Sequence, residues 1–309
     1  MTPPIQQMLY AQVPKEAAAP YIDVGNRSGN RGVWAGGYHS GSARDIIDYA
    51  NIGASTADAT DFGDINNPRS RTGAVSNSSR GVWGGGSPNQ TDMDYVTISS
   101  PGDATDFGDL SYHPAHPGGC GNGTRGLFGG GYAGGNTAAI HYITIASASD
   151  STDFGYSLTE GRHALYACDN GIRGVFVGGW GSGSSDTMDF VIIATPAAAS
   201  DFGNLTHTQH SCTATADNTR GVIGGGGSSN KETIGYITIG TESDALDFGD
   251  LTVARSSCGA VTDATKACFS GGNSGNDTID KITIQTTGDA TDFGDLSVGR
   301  EGAGGASGD

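Results

Sequence analysis

Short runs of alternating apolar and polar residues follow one another along most of this chain. In residues 71–110, four such runs are separated by Gly, Pro, Ser or Asn, which is typical of short strands joined by tight turns. In a strand over Tyr142-Ile-Thr-Ile145, Tyr142 and Thr144 would lie on one face and the two isoleucines on the other. Because both faces carry apolar surface, we expect each sheet to pack between two others. The sequence shows no convincing helical period.

The tripeptide Asp-Phe-Gly recurs six times at nearly constant intervals of 45, 47, 48, 46 and 45 residues. A fixed period of this size indicates one supersecondary unit that is repeated along the chain. Each phenylalanine supplies one large apolar side chain per unit, and its burial stabilises the fold by about 1.5–3 kcal/mol. We expect these rings to fill the spaces between neighbouring sheets. The copies are Asp61-Phe62-Gly63, Asp106-Phe107-Gly108, Asp153-Phe154-Gly155, Asp201-Phe202-Gly203, Asp247-Phe248-Gly249 and Asp292-Phe293-Gly294.

The repeated unit predicts a ring of small sheets. The second run of every unit ends in glycines, such as Gly85-Gly86, which suit a positive φ or a close backbone approach. Four strands in about 46 residues, repeated six times, predict an all-β fold: a six-bladed β-propeller with four-stranded blades. The alternative is a linear solenoid, which would need distinct terminal caps that the sequence does not show.

The two ends of the repeat region complement each other. The last unit stops after a first-strand equivalent that begins at Arg300, whereas the first unit begins at its second strand, near Arg31. We therefore expect the N-terminal and C-terminal segments to pair and close the ring, which would remove exposed strand edges. The predicted domains are an N-terminal arm, residues 1–22, and the propeller, residues 23–309.

Composition narrows the choice of partners. The formal net charge is −17, so nucleic acid and anionic membranes are unsuitable partners. The apolar runs are too short to cross a bilayer, and the first residues do not resemble a signal peptide. Four of the five cysteines, Cys120, Cys168, Cys212 and Cys258, lie in equivalent strand regions of four successive units. We expect them to be small buried hydrophobic residues and predict no metal or cofactor, because no C-x-x-C spacing occurs.

Two kinds of charged residue recur with the repeat. Asp103, Asp106 and Asp109 could accept backbone N–H bonds in turns, which we favour, or could form shallow Ca²⁺ sites. The arginine before the second-strand glycine, as at Arg80, is expected to pair with an acid of the same or the adjacent sheet. Arginines such as Arg162 and Arg255, which open first strands, are expected to do the same; a ring of anion-binding arginines is the alternative.

The unit resembles the kelch repeat. The blade of that family has an arginine at the opening of the first strand, Gly-Gly at the end of the second, and an aromatic residue on each of the last two strands. In one unit these roles map to Arg71, Gly85-Gly86, Tyr95 and Phe107, and in another to Arg255, Gly271-Gly272, Ile282 and Phe293. The resemblance covers roughly residues 31–308, and the chain departs from it by using Phe where kelch repeats usually carry Trp.

The amino-acid sequence of the repeat also resembles the repeats of predicted virion proteins of tailed bacteriophages, especially marine ones. Arg80 to Gly86, Tyr236 to Ile239 and Asp103 to Leu110 carry this resemblance. It implies a non-enzymatic component of the phage particle, in the tail, a fibre or the capsid surface. Such a component would bind a host surface glycan or receptor, or a neighbouring virion protein. The N-terminal arm is either a flexible leader or a segment that docks on a neighbouring virion subunit by an added strand or a short helix.

Two rival interpretations remain open. Some kelch-fold proteins are copper-dependent oxidases and other propellers act on glycans, but these activities need a Tyr/His metal set or convergent carboxylates. The sequence fixes neither, so no residue is assigned a catalytic role. A cellular adaptor of the kelch type is the other possibility, and it would usually carry an accessory domain, which is not visible here.

Binding residues are expected where the units differ from one another. Three unequal connections between a fourth strand and the next first strand hold five of the seven histidines, and these connections should share one face of the ring. The loops after the glycine runs add aromatic residues that suit sugar stacking or protein recognition; packing between blades is the alternative for these rings, and we slightly favour it. A metal held by imidazoles, a polar or aromatic binding rim, and variable solvated loops all remain open. The candidate residues are His113, His116, Arg162, His163, His207, His210, Tyr132 and Trp180.

Overall fold

The computed structural model describes residues 29–88, 91–227 and 229–309 and is a six-bladed β-propeller. Six antiparallel sheets of four strands each surround a common axis. Besides these sheets, the described residues form one short hairpin, Tyr38–His39 with Ser42–Ala43, and one 3-10 turn, Asn273–Gly275. The predicted all-β propeller is therefore confirmed. The predicted arm, residues 1–22, lies outside the described residues.

We number the blades in chain order and the strands of each blade from the inner, first strand to the outer, fourth strand. Blade 1 contains Gly304–Gly308, Arg31–Ala35, Ile46–Asn51 and Thr60–Asp64, and blade 2 contains Gly73–Ser76, Arg80–Gly84, Asp92–Thr97 and Thr105–Asp109. Blade 3 contains Gly118–Gly121, Arg125–Gly129, Ala139–Thr144 and Thr152–Ser157, and blade 4 contains Tyr166–Asp169, Arg173–Val177, Ser185–Ile192 and Ser200–Gln209. Blade 5 contains Thr213–Ala216, Arg220–Gly224, Lys231–Thr238 and Leu246–Arg255, and blade 6 contains Gly259–Thr262, Lys266–Ser270, Thr278–Thr283 and Thr291–Asp295.

The C-terminal strand closes the ring. Gly304–Gly308 pairs antiparallel with Arg31–Ala35, with Val33 opposite Ala306. The same strand contacts the inner strands of blades 6 and 2, so the six inner strands follow one another around a complete circle. The indole N–H of Trp83 donates to the carbonyl of Gly304 at 2.9 Å, which fixes the closing strand to blade 2. This topology is a closed toroid and excludes the linear solenoid.

The hydrophobic core lies between the blades as six separate clusters. Between blades 1 and 2, Phe62 of the repeated tripeptide packs with Val96 and with Trp83. All six of these phenylalanines are buried, as expected. The second strands of five blades carry a large ring, and that of blade 5 carries Ile223. These side chains pack against the preceding blade: a Cβ at Gly73 would lie 2.9 Å from the Phe128 ring. A glycine at that place is therefore a packing requirement.

The aspartates of the repeat join neighbouring blades through the backbone. The N–H of Asp64 in blade 1 donates to Asp103 Oδ1 in the loop of blade 2, at 3.2 Å. The N–H of Asp109 donates to Asp150 Oδ1 in blade 3, at 3.0 Å. The same bond recurs between blades 4 and 5, 5 and 6, and 6 and 1. These carboxylates therefore accept backbone N–H groups, which is the chemistry favoured above.

The arginines that precede the second-strand glycines also join blades. The prediction that they pair with acids is wrong for most of them, because their partners are backbone carbonyls and aromatic rings. The guanidinium of Arg80 lies 4.0 Å from the centroid of the Tyr95 ring and donates to the carbonyl of Ile145 in blade 3 at 3.1 Å. Equivalent arginines in blades 1, 3 and 5 have the same two partners. In the described chain, Arg173 is the member of this set that pairs with an acid, Glu242, at 2.7 Å.

Four blades contain a buried arginine–aspartate pair. The arginine precedes the first strand, and the aspartate lies on the third strand of the same blade. Each arginine also donates to a carbonyl of the second strand, as Arg255 does to Phe269 at 3.1 Å. In blade 2 this arginine is Arg69, and the assignment of Arg71 to that kelch position is wrong. The pairs are Arg300–Asp48, Arg69–Asp94, Arg162–Asp189 and Arg255–Asp280, at 2.6–2.8 Å.

The other two blades lack both members of the pair. In blade 3 the aspartate position is His141, and Tyr112 stacks on its ring with centroids 4.3 Å apart. The Tyr112 hydroxyl donates to the carbonyl of Gly130 at 3.1 Å, just after the second strand, and lies 3.5 Å from the carbonyl of Phe128, whose equivalents accept from arginine in the four blades with the ion pair. In blade 5, Gln209 and Gly235 occupy the two positions. The two charges are thus present together or absent together, because a buried charge without its partner is strongly destabilising.

Deletion of residues 297–309 should lower the melting temperature by roughly 10 °C or more, because it removes the inner strand of blade 1 and one member of a buried ion pair. Differential scanning calorimetry measures this. Deletion of residues 1–22 is the control: it leaves every described strand in place and should give a melting temperature close to that of the full chain. An unchanged melting curve for the C-terminal deletion would contradict closure by this strand.

The single substitution Arg255→Gln should destabilise the protein by about 3 kcal/mol, because Asp280 stays buried without a guanidinium. The double variant Arg255→Gln, Asp280→Gly reproduces the pair found in blade 5 and should cost less than the two single changes together. Urea unfolding of the four proteins gives the coupling energy, expected to be about 1–3 kcal/mol. Additive single effects would show that the charges are not coupled.

Candidate binding face

Two sets of segments meet on one face of the ring. One set connects each fourth strand to the next first strand, and the other follows the glycines of the second strands. Isolated backbone bridges join them, between Ala115 and Tyr132 and between His163 and Trp180. The N–H of Gly131 also donates across to the carbonyl of Arg162 in the next blade, at 2.9 Å. We call the surface formed by these two sets of segments the binding face.

A ring of six residues constricts the central channel at this face. The six have positive φ angles between 52° and 69° and occupy equivalent positions just before the first strands. Around the ring, five of them donate a backbone N–H to the carbonyl of the neighbouring member, at 2.6–3.2 Å. Left-handed backbone is costly for non-glycine residues, so this cyclic hydrogen bonding holds the ring in place. Its members are Arg71, His116, Ala164, Ser211, Ser257 and Gly302.

His116 lies at the channel mouth between two basic groups. Its ring is 5.8 Å from that of His163. Burial is the main cause that lowers the pKa of His116 to about 3, and the nearby Arg71 and His163 lower it further. Arg71 itself pairs with Glu301 at 2.6 Å across the junction of blades 1 and 2. His116 is therefore neutral at neutral pH and part of the packed mouth of the channel.

Tyr132 and Trp180, from adjacent blades, are two exposed aromatic rings of this face, and we call them and their polar neighbours the aromatic trough. The Tyr132 ring lies 5.6 Å from the ring of His163, and the Trp180 ring lies 4.9 Å from that of His210. Asn136 joins the two loops: its Oδ1 lies 2.7 Å from His163 Nδ1, and its Nδ2 donates to the Gly181 carbonyl at 2.9 Å. Both aromatic rings remain exposed, at 42% and 38%. We define the trough as Tyr132, Asn136, His163, Trp180, Ser184 and His210.

The remaining candidate residues lie elsewhere. Arg162 is fully buried in its pair with Asp189, so it does not reach the surface as a binding residue. His113 is exposed. His207 is partly buried; burial is the main cause that lowers its pKa, and Lys231 lowers it further.

The histidines of this face contact other polar side chains. His163 contacts Asn136, and His210 Nδ1 lies 2.9 Å from Ser184 Oγ. Within the described residues, no group of three or more His, Cys, Asp or Glu side chains is arranged to hold a metal ion. The residues at hand are therefore hydrogen-bonding groups and aromatic surfaces, which suit recognition of a polar ligand with some apolar faces.

Asn136 and Ser184 belong to the aromatic trough but were not among the binding residues predicted from the sequence. Both lie in Gly- and Ser-rich loops that look in sequence like solvated connections. The sequence did contain an indication for Asn136, because this turn residue lies in the same loop as the aromatic residue Tyr132. Its bond to the Gly181 carbonyl, however, joins two blades, and only the assembled ring brings those two loops together.

No known family model matches this chain, and no curated protein matches its sequence. The part of the chain that the structure describes contains no helix that is long and apolar enough to cross a bilayer.

Acidification from pH 7.5 to pH 5.5 should destabilise the protein through His116. Its pKa is lowered on folding, so its contribution to stability is present above pH 6.5 and is lost as the pH falls towards 3. For one such group the loss over this interval is about 1.4 kcal/mol. Urea unfolding at the two pH values measures it. His116→Gln should reduce the loss by that amount, whereas the control His113→Gln should behave like the wild type; equal losses in all three proteins would be evidence against this role of His116.

Proposed function

We propose that this protein is a non-enzymatic binding module of a bacteriophage particle, located in the tail, a fibre or the capsid surface. In this proposal the closed ring is a rigid support, and the binding face contacts a host surface glycan or receptor, or a neighbouring virion protein. The observation that carries the proposal is the pair of exposed rings, Tyr132 and Trp180, held in place on one face by adjacent blades.

The local chemistry supports binding in preference to catalysis. His163 contacts the Asn136 amide and His210 contacts the Ser184 hydroxyl. Arg162 is buried in an ion pair with Asp189. Aromatic rings beside Asn, Ser and Gly are the material of many recognition surfaces, because they offer large contact area at low conformational entropy cost. The assignment to a virion is supported by the resemblance between the repeat sequence of this chain and the repeats of phage virion proteins.

Immunogold electron microscopy of purified phage particles that encode this chain tests the proposed location. We expect antibody labelling at one structural position, the tail, a fibre or the capsid surface. A chain that is missing from purified particles but abundant in the infected-cell lysate would refute the virion assignment.

Elemental analysis of the purified protein separates the binding module from the copper-dependent oxidase. We expect copper far below one equivalent per chain after expression in copper-supplemented medium. Stoichiometric copper, accompanied by oxidase activity, would favour the enzyme. The same preparation loaded with zinc serves as a control for adventitious binding by exposed histidines.

The N-terminal arm is proposed to dock on a neighbouring virion protein. A variant that lacks residues 1–20 should fold normally but should be incorporated into particles at reduced occupancy. Quantitative mass spectrometry of purified particles measures the occupancy. Full occupancy of the truncated chain would end this part of the proposal.

A further inference from the structure

Exposed aromatic side chains are concentrated in one sector of the ring. Among the described residues, the exposed Tyr and Trp side chains are Tyr38, Tyr132, Tyr156 and Trp180, at 38–48% exposure. The last three belong to blades 3 and 4, which are neighbours. The aromatic trough defined above lies in this sector.

The Tyr132 and Trp180 rings are each held by contact with a histidine ring. The planes of Trp180 and His210 meet at 85°, and those of Tyr132 and His163 at 73°, so each exposed ring has an imidazole against it nearly at a right angle. Asn136 joins the two loops through Gly181, as described above. Preorganised rings lose little conformational freedom on binding, which favours affinity for small ligands.

Charge is depleted in the same sector. Residues 118–157 of blade 3 contain two acids and residues 166–209 of blade 4 contain four, whereas residues 213–255 of blade 5 and residues 259–295 of blade 6 contain six each. None of the six trough residues is an acid, Lys or Arg. Glu160 lies beside the trough; its carboxylate accepts from Ser185 Oγ at 3.1 Å and lies 3.5 Å from Arg162 Nη1. The trough therefore offers no net charge to attract an ionic ligand.

Blade 3 also departs from the repeat at its outer edge. Four positions separate Phe154 from Leu158, whereas three separate Phe107 from Leu110. The carbonyl of Ser157 accepts the N–H of Ala199 at 3.2 Å, as that of Asp109 accepts from Ser151 at 2.8 Å, so Tyr156 is the inserted residue. The strand pairing shifts at this point, and such bulges re-aim side chains. The insertion places a further exposed aromatic ring at the junction of blades 3 and 4.

The hydrogen-bonding groups of the trough have defined roles. Asn136 presents its carbonyl oxygen to His163 Nδ1, so that nitrogen donates, and Nε2 of the neutral ring is an acceptor. Burial, with His210 and Arg71 nearby, lowers the pKa of His163 and keeps the ring neutral at neutral pH. An acceptor beside two aromatic faces matches a ligand with hydroxyl groups on its rim and C–H groups on its faces.

We infer that the aromatic trough binds an uncharged oligosaccharide, with sugar rings stacked on Tyr132 and Trp180 and a sugar hydroxyl donating to His163. Trp180 provides the aromatic area for one sugar ring and Tyr132 for a second, with Asn136 between them. This inference rests on the proposed function, since it names the ligand class and the site of the same binding face.

Tryptophan fluorescence is a direct probe of the trough. The chain has three tryptophans; Trp34 and Trp83 are fully buried, and Trp180 is exposed, so iodide quenching reports on Trp180. The probes are neutral oligosaccharides of glucose, galactose, mannose and N-acetylglucosamine, with sialyllactose and oligogalacturonate as acidic comparators. We expect at least one neutral probe to protect Trp180 from iodide, with micromolar to millimolar affinity.

Matched variants locate the site. Trp180→Ala and Tyr132→Ala should each weaken binding by about tenfold or more, measured by calorimetric titration of the neutral probe that protects Trp180. Tyr38→Ala is the control, because Tyr38 follows the same glycine pair in blade 1 and is equally exposed; it should bind like the wild type. The melting temperature of all three variants should stay near that of the wild type, because the side chains are exposed.

Three results would overturn the inference: no binding of any neutral probe at about 10 mM, binding of the acidic comparators alone, or full binding by the Trp180→Ala, Tyr132→Ala double variant. Particles that carry this double variant and still adsorb normally to host cells would leave the proposed virion function intact and remove only the trough as its site. Absence of the protein from particles would remove the virion function and leave a glycan result standing.

Discussion

Packing between neighbouring sheets is the interaction on which the whole ring depends. Each blade is too small to bury its own apolar faces, and the six hydrophobic clusters all lie at blade junctions. The phenylalanine of every Asp-Phe-Gly and the large residue of every second strand fill these junctions. No junction can be left open without exposing such a cluster. The chain therefore closes through Gly304–Gly308, which pairs with Arg31–Ala35.

Polar contacts give each junction its geometry. Outer aspartates receive backbone N–H groups from the preceding blade, and arginines reach carbonyls of the following one. Buried arginine–aspartate pairs position the connections between blades, and each is present or absent as a unit. In blade 3, Tyr112 stacked on His141 is a neutral replacement, and the Tyr112 hydroxyl lies 3.5 Å from the Phe128 carbonyl of the second strand. Buried charge must be compensated within one blade, so these positions change in pairs.

A rigid ring also explains where variation is tolerated. The inner strands and blade junctions leave little room for change, whereas loops on the binding face are held at their bases by backbone bonds. Blade 3 departs from the shared pattern in two ways, with an inserted Tyr156 and the neutral Tyr112–His141 contact in place of the ion pair. The junction of blades 3 and 4 is also where exposed Tyr and Trp side chains are concentrated.

The repeat period, the turn glycines and the complementary chain ends were sufficient to predict a closed six-bladed propeller, because these features are local and recur six times. The sequence also indicated that the histidine-bearing connections share one face and that Tyr132 and Trp180 lie in variable loops, but only the structure places the two sets together. It could not distinguish Arg69 from Arg71, since two arginines lie two positions apart and only burial separates their roles. Nor could it show that Arg162 is buried, or that Asn136 bridges two blades. Those outcomes depend on contacts between loops about 45 residues apart in sequence, which exist only after the blades have assembled into a ring.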